Sequence, residues 1–543
     1  MSSLDVSGNI VDLRKKRIYP GTLRIENGHI TAIREDNNHY NSYVLPGFID
    51  AHVHVESSLL VPTEFARLAV AHGTVAAVSD PHEIANVLGM EGVNFMVEEG
   101  RKTPFHFYFG ASSCVPATTF ETAGAVLKSA DVEKLLRNPE IKYLSEMMNF
   151  PGVINGDPEV LAKITVAKKQ GKPVDGHAPA LRGEALRKYA AAGISTDHET
   201  ISLEEGLEKI SLGMKIIIRE GSAAKNFAAL SDLLRTNPEL CMFCSDDKHP
   251  DEFVISHINN IVKRAVREGY DLMDVLRSAS LNPVRHYGLD AGLLQLNDPA
   301  DFIVVDNWRD FNVLETFIGG RKVAAGGISL LSSSPVSAGN LFVADFVSAD
   351  DIRVKKAADN INVIVINDGQ VLTGRVTAQA KEERGFVVSD AEHDILKLVV
   401  VNRYQNVPPA VGFVRNCGLK KGAIASSVAH DSHNVIAVGV ADDDITAALN
   451  LVIKSKGGLA AVCEGEENIL PLPIAGLMSD DDGYAVAAKY QRLDCLVKSE
   501  MGSPLHAPFM ALSFLALLVI PSLKLSDKGL FDGEKFAFTQ LFV

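Results

Sequence analysis

The chain has 543 residues, too many for one hydrophobic core, and a composition of 46% hydrophobic and 22% charged residues marks it as folded rather than disordered. A formal net charge of -15 with no Lys/Arg-rich run excludes a nucleic-acid partner, which needs a basic surface to displace counterions, and leaves a small-molecule substrate. Six scattered cysteines form no disulfide framework, and the polar segment 1–9 lacks a basic stretch followed by an apolar one, so a cytoplasmic setting is expected.

In chain order, 10–43 holds short alternating segments around the turn Asn27-Gly28, which predicts a small antiparallel β unit. From 44 onward strand and helix patterns alternate, as in a parallel sheet with crossover helices. Strand candidates lie at 44–53, 74–79, 105–110, 142–147, 173–176, 193–196, 214–218 and 240–244, the number that closes a (β/α)8 TIM barrel. Helical patterns fall between them at 62–72, 131–137, 158–170 and 203–212. Two further helices are expected at 251–268 and 272–280, the second closed by Asn282-Pro283.

β character returns at 292–296, 300–306 and 313–325. The expected α/β architecture is therefore a barrel over 44–286 flanked by a small composite β-sandwich built from 1–43 and 287–328. A Ser/Pro/Gly-rich linker, 329–340, leads to a separate C-terminal domain, 341–543, of α/β or α+β class. Its longest apolar run, 511–520, stops at Pro521. That is short of the roughly 20 residues a membrane span needs, and it reads as a buried helix with no membrane partner.

His52 and His54, two apart on a strand, project to the same side and can face one ion. The ends of later strand candidates add Glu146, His177, His198 and Asp246. Four histidines and two carboxylates on one barrel rim suit a two-metal hydrolase, whose ions sit about 3.5 to 4 Å apart. Asp80-Pro-His82-Glu83, after the second strand, is either a further acid or metal cluster or the cap of the next helix. His430 and His433 belong to a lid over the barrel or to an internal polar network.

His54-Val-Glu56 and Cys241-Met-Phe-Cys244 mimic the H-x-E and P-C-x-x-C pattern of zinc deaminases. Leu240 stands at the Pro position, however, and the pieces lie at opposite ends of the barrel series; Cys241 and Cys244 read as small buried residues of a strand.

Taken together, Pro46-Gly-Phe-Ile-Asp-Ala-His-Val-His54, the strand-end histidines and Asp246 resemble the amidohydrolase superfamily. More narrowly, Asp80-Pro-His-Glu-Ile-Ala-Asn-Val87, Glu146-Met-Met-Asn-Phe-Pro-Gly152, Asp175-Gly-His-Ala-Pro179, Asp197-His-Glu-Thr200, Ile218-Arg-Glu-Gly-Ser222 and Ala429-His-Asp-Ser-His433 resemble the bacterial-type adenine deaminases over nearly the whole chain. The resemblance implies hydrolysis of adenine to hypoxanthine and ammonia at a binuclear centre of divalent ions, Mn2+ first, with Fe2+ or Zn2+ as alternatives, in a homo-oligomer. It implies that His52 and His54 bind one ion and His177 and His198 the other. Glu146 bridges them in place of the carboxylated Lys common in the superfamily, and Asp246 both ligates the first ion and moves protons.

Protonation of a purine ring nitrogen needs a second acid, His82 or Glu83, with Asp80 alongside as a substrate contact. Arg219, Glu220 and Ser222 are candidate hydrogen-bond partners of the purine edge. Rival readings are another cyclic amide or amidine hydrolase on the same barrel and a scaffold without activity.

Overall fold

The computed structural model describes residues 3–543; the first two residues of the polar 1–9 segment lie outside them. Eight parallel strands overlap the eight expected segments, the first beginning only at Phe48 and the sixth reduced to Thr196–Asp197. Phe48–Val53, Thr74–Ser79, His106–Ala111, Ile141–Met147 and Val174–Gly176 form one sheet, and Thr196–Asp197, Lys215–Arg219 and Cys241–Cys244 a second. Backbone hydrogen bonds close both seams. Ser195 N donates to Val174 O (2.8 Å) at one, while Asp246 N donates to His52 O (3.0 Å) and His54 N to Asp246 O (3.3 Å) at the other. The first two strands are buried throughout, as expected of parallel strands covered on both faces by side chains and helices.

Helices fill the crossovers, and their starts follow from local chemistry. Asp157 accepts from the Glu159 and Val160 N–H groups ahead of Pro158–Lys169, and Ser202 from Glu205 ahead of Leu203–Ser211. The helix expected at 251–268 is broken into Pro250–Phe253 and Ile258–Arg267. Its centre gives way because His257 turns inward, its Nε2 2.9 Å from Asp50 Oδ2 and its Nδ1 2.7 Å from Thr74 Oγ1. The helix from Leu272 does not close at Asn282-Pro283. It runs through a wide turn, Arg277–Leu281, into Asn282–Tyr287, with Pro283 in the first turn of that last segment, where no donor N–H is required.

The expected first barrel strand at 44–53 is in fact two strands. Tyr43–Pro46 pairs parallel with Ser3–Asp12 and antiparallel with Phe302–Val305, so it joins both flanks of the barrel into one eight-stranded sheet; only Phe48–Val53 enters the barrel. Within that sheet Tyr19, Leu23 and Ile25 alternate inward with the period of two that the sequence shows. The Phe302 and Phe317 rings stack 4.5 Å apart in the same core.

The residue between the two strands is Gly47, where a Cβ would fall 2.3 Å from Val75 Cγ1. Gly47→Ala is expected to destabilise the protein by about 1–3 kcal/mol through overpacking, read as a lower denaturation midpoint with an unchanged m-value. An unchanged midpoint would show that Val75 yields freely.

The C-terminal part is built on a second eight-stranded, mainly antiparallel sheet, with Ile395–Val401 and Val435–Gly439 at its centre and Asp442–Lys454 packed against it. Arg403, wholly buried, gathers the chain where it enters this part. It donates to Leu341 O (3.1 Å), Asn340 Oδ1 (2.7 Å), Ala475 O (2.8 Å) and His433 O (3.4 Å). The 511–520 run is buried but is not one helix. Pro508–Ser513 ends in a short 3-10 turn, Phe514–Ala516, and loop follows. Among the described residues no helix is long and apolar enough to cross a membrane.

Candidate metal centre

At the C-terminal rim of the barrel the six residues singled out as ligands come together. His52 Nε2 and His54 Nε2 lie 3.3 Å apart, and Asp246 Oδ1 stands 3.5 and 3.4 Å from them. Glu146 lies between two sets of imidazoles. Its Oε1 is 3.2 Å from His54 Nε2, and its Oε2 is 2.7 Å from His177 Nδ1 and 3.2 Å from His198 Nε2.

Neighbouring groups fix the orientation of these rings. His54 Nδ1 lies 3.1 Å from Asp80 O, Tyr189 accepts from His177 N (3.0 Å) while donating to Met147 O (2.8 Å), and the His52 and His198 rings stack 4.0 Å apart. Below them Asp197 accepts from Ala178 N (2.9 Å) and Glu199 N (2.9 Å) and pairs with the buried Lys209 at 3.0 Å. The two histidine-bearing strand ends are thereby held at a fixed spacing.

This donor set fits divalent metal. His52, His54 and Asp246 can each offer one atom within 4.8 Å of the others, as can His52, Glu146 and His198. All are buried, and His177 Nε2 and Asp80 Oδ1 have no hydrogen-bond partner. Two imidazole nitrogens 3.3 Å apart and facing each other share at most one proton usefully, whereas a cation satisfies both. Carboxylate and imidazole ligands suit first-row divalent ions.

The other candidates divide. Arg219 reaches the cluster, but its guanidinium is engaged, Nη1 with Glu199 and Asp246 and Nη2 with Glu199 Oε2 at 2.7 Å. Burial pushes the Asp246 carboxyl up, yet Arg219 and the nearby imidazoles outweigh burial and hold it well below the usual range. Glu220 and Ser222 are not brought to the cluster. Glu220 accepts from Phe227 N (3.3 Å) and pairs with Arg264 (3.4 Å); Ser222 donates to Glu252 Oε2 (3.0 Å) and accepts from His249 N (2.9 Å). Arg219, the last residue of the seventh strand, reaches the cluster, whereas Glu220 and Ser222 just beyond it turn to other partners.

Asp80 does not cap the following helix, His82–Leu88, whose preceding residue, Pro81, has no side-chain cap bond. Instead Asp80 Oδ2 lies 3.0 Å from His82 Nδ1, and His82 Nδ1 is 3.4 Å from Glu146 Oε1. Glu83 meets the C-terminal part of the chain. His430 Nδ1 donates to its Oε1 (2.6 Å), and His433 Nε2 bonds its Oε2. His430 lines the space at the barrel mouth, and both histidines join Glu83 in a buried polar network, so the two alternatives for them meet in one arrangement. Burial pushes Glu83 up, but His430 and its fellow imidazoles hold it well below the carboxylate range, and the same pairing raises His430 to about 9 against its own burial.

Sequence reasoning missed Glu199, Asp247 and Asp431 as members of this site. Glu199 directly follows the ligand candidate His198. Asp247, whose Oδ1 accepts from Ser57 Oγ (2.5 Å), likewise follows the candidate Asp246, and Asp431, 3.7 Å from His82 Nε2, lies between His430 and His433.

Comparison with known proteins agrees with this geometry. Residues 43–323 match the model of the amidohydrolase family and 370–537 that of the adenine deaminase C-terminal domain. The chain is 56% identical to a protein named adenine deaminase from Sulfurovum sp. (strain NBC37-1), over 98% of this chain and 99% of that one. It is 54% identical to an adenine deaminase from Salinibacter ruber (100% and 99% covered) and 51% to one from Methanosarcina mazei (98% and 99%).

Proposed function

Because the chain belongs to the adenine deaminase family of amidohydrolases, we propose that it hydrolyses adenine to hypoxanthine and ammonia at the cluster of His52, His54, Glu146, His177, His198 and Asp246. The observation that carries the reading is Glu146, whose two oxygens face different imidazoles, as a carboxylate spanning two ions does. His52, His54, Glu146, His177, His198 and Asp246 would hold two divalent ions, manganese first, with iron or zinc as alternatives, and these would supply the Lewis acidity that brings the pKa of water to about 7.

The chain's own groups do the rest. As water adds to C6, Asp246 takes its proton and then passes one to the departing amine, leaving as ammonia. Arg219 holds Asp246 Oδ2, so Oδ1 is the oxygen turned toward His52 and His54. A ring nitrogen is protonated by His82, which Asp80 fixes, or through Glu83, an ionised carboxylate that first takes its proton from His430.

Glu83→Gln removes the charge that both C-terminal histidines face, and is expected to lower kcat by about 10- to 100-fold with metal content retained. A kcat within about twofold of wild type would remove Glu83 from the proton path. The activity itself is tested by ammonia release from adenine by manganese-loaded protein, against adenosine, guanine and cytosine. Turnover of adenine alone is expected. No turnover in a sample with its metal complement measured would overturn the reading in favour of another cyclic amide or amidine hydrolase.

A further inference from the structure

Lys524, on the strand Leu523–Ser526, is completely buried, and among the described residues it has no carboxylate partner. A lone ammonium in the interior is costly, and burial pushes this one down to about 7. Its partners are two carbonyl oxygens, Val371 O at 3.0 Å and Phe514 O at 2.8 Å. Those two residues, 143 positions apart, both line the space over the metal-ligating cluster.

That space measures only about 20 Å³, room for about one water and not for a bicyclic base. Beside it lies a cavity of about 280 Å³, lined by Thr200, Lys225, Asn226 and the 369–372 loop, and sharing Glu199, Arg219 and Val371 with the smaller space. The loop that carries Val371 is tied at one end, where Thr373 N donates to Pro521 O (3.1 Å) and Thr373 Oγ1 to Leu523 O (2.9 Å). At its other end is Gly369, with φ of +74°. Phe514 in turn stacks on the His430 ring, 4.9 Å between centroids and 18° between planes. Movement of the Phe514 segment therefore reaches the His430/Glu83 pair directly, and movement of the 369–373 loop reaches it through Lys524.

We propose that Lys524 is a positioning residue for the deamination: it pins Val371 and Phe514 together as the roof of the site, and adenine enters from the neighbouring cavity when that roof parts. The proposal rests on the adenine deaminase reading. A roof that closes over the base excludes water from the site and brings His430 and Glu83 to the ring, and neither contact requires Lys524 to touch the substrate.

The test is Lys524→Met in the full-length, manganese-loaded protein, which keeps the length of the side chain and removes a buried charge whose loss is compatible with folding. With metal content unchanged, kcat/KM for adenine is expected to fall about tenfold or more, and deuterium uptake to rise in both 369–373 and 508–520. A purely structural lysine would lower Tm while leaving the kinetics of the folded enzyme and the uptake of these two segments unchanged. A kcat/KM within about threefold of wild type with unchanged uptake therefore overturns the proposal.

Should the variant not fold, wild-type protein with and without hypoxanthine decides instead. Joint protection of the two segments is expected, and protection of one alone or of neither overturns it. If wild-type protein fails to turn over adenine, the deaminase reading has failed, and the uptake comparison between wild type and variant still decides whether Lys524 holds the roof.

Discussion

Asp246→Asn is expected to lower kcat for adenine by about 10²- to 10⁴-fold while KM changes little, because the amide retains a ligating oxygen but cannot accept the proton of the attacking water. The environment of Asp246 makes this the cleanest separation of ligation from proton transfer in the site. Oδ1 stands 3.4 to 3.5 Å from His52 and His54 and Oδ2 is held by Arg219, so the backbone and neighbouring side chains already fix where an Asn would lie. Arg219 keeps Glu199 as its second partner in the variant and is not left as an unpaired buried charge. Pre-steady-state release of ammonia together with metal analysis would check the expectation. More than a tenth of wild-type kcat at full metal content would mean that another group moves the proton.

Glu146→Gln should act on the metals themselves. The carboxylate faces His54 through one oxygen and His177 and His198 through the other, and an amide replaces one of those oxygens with a donor NH2 that cannot ligate. If the site holds two ions per chain as proposed, metal content is expected to fall to about one or fewer, with kcat down about 10³-fold or more. Thermal stability should fall as well, since ions that bind only the folded state stabilise it by mass action. Metal analysis by plasma mass spectrometry beside a thermal melt reads both effects. Full metal content with full turnover would falsify the bridging role.

The sequence by itself determined the barrel and the six side chains that gather at its rim, because both are written in short-range patterns. Alternation of strand and helix is a local property, and the positions directly after each strand must lie on one rim once eight strands close. His52, His54, Glu146, His177, His198 and Asp246 were therefore locatable before any fold was in hand. The turn of Arg219 inward and of Glu220 and Ser222 outward was not, since it depends on how the chain leaves the seventh strand and on partners, Arg264 and Glu252, that packing supplies.

What only the tertiary structure decided has in common long separation along the chain. The expected 44–53 strand divides at Gly47, where Tyr43–Pro46 pairs with Phe302–Val305 while Phe48–Val53 pairs with Thr74–Ser79. Glu83 meets His430 and His433 across about 350 residues, and Lys524 joins Val371 to Phe514. Neither periodicity nor spacing encodes such pairs. A buried charge or carbonyl must find its partner somewhere in the folded interior, but only the packing of one part of the chain against the other settles which residue that partner is.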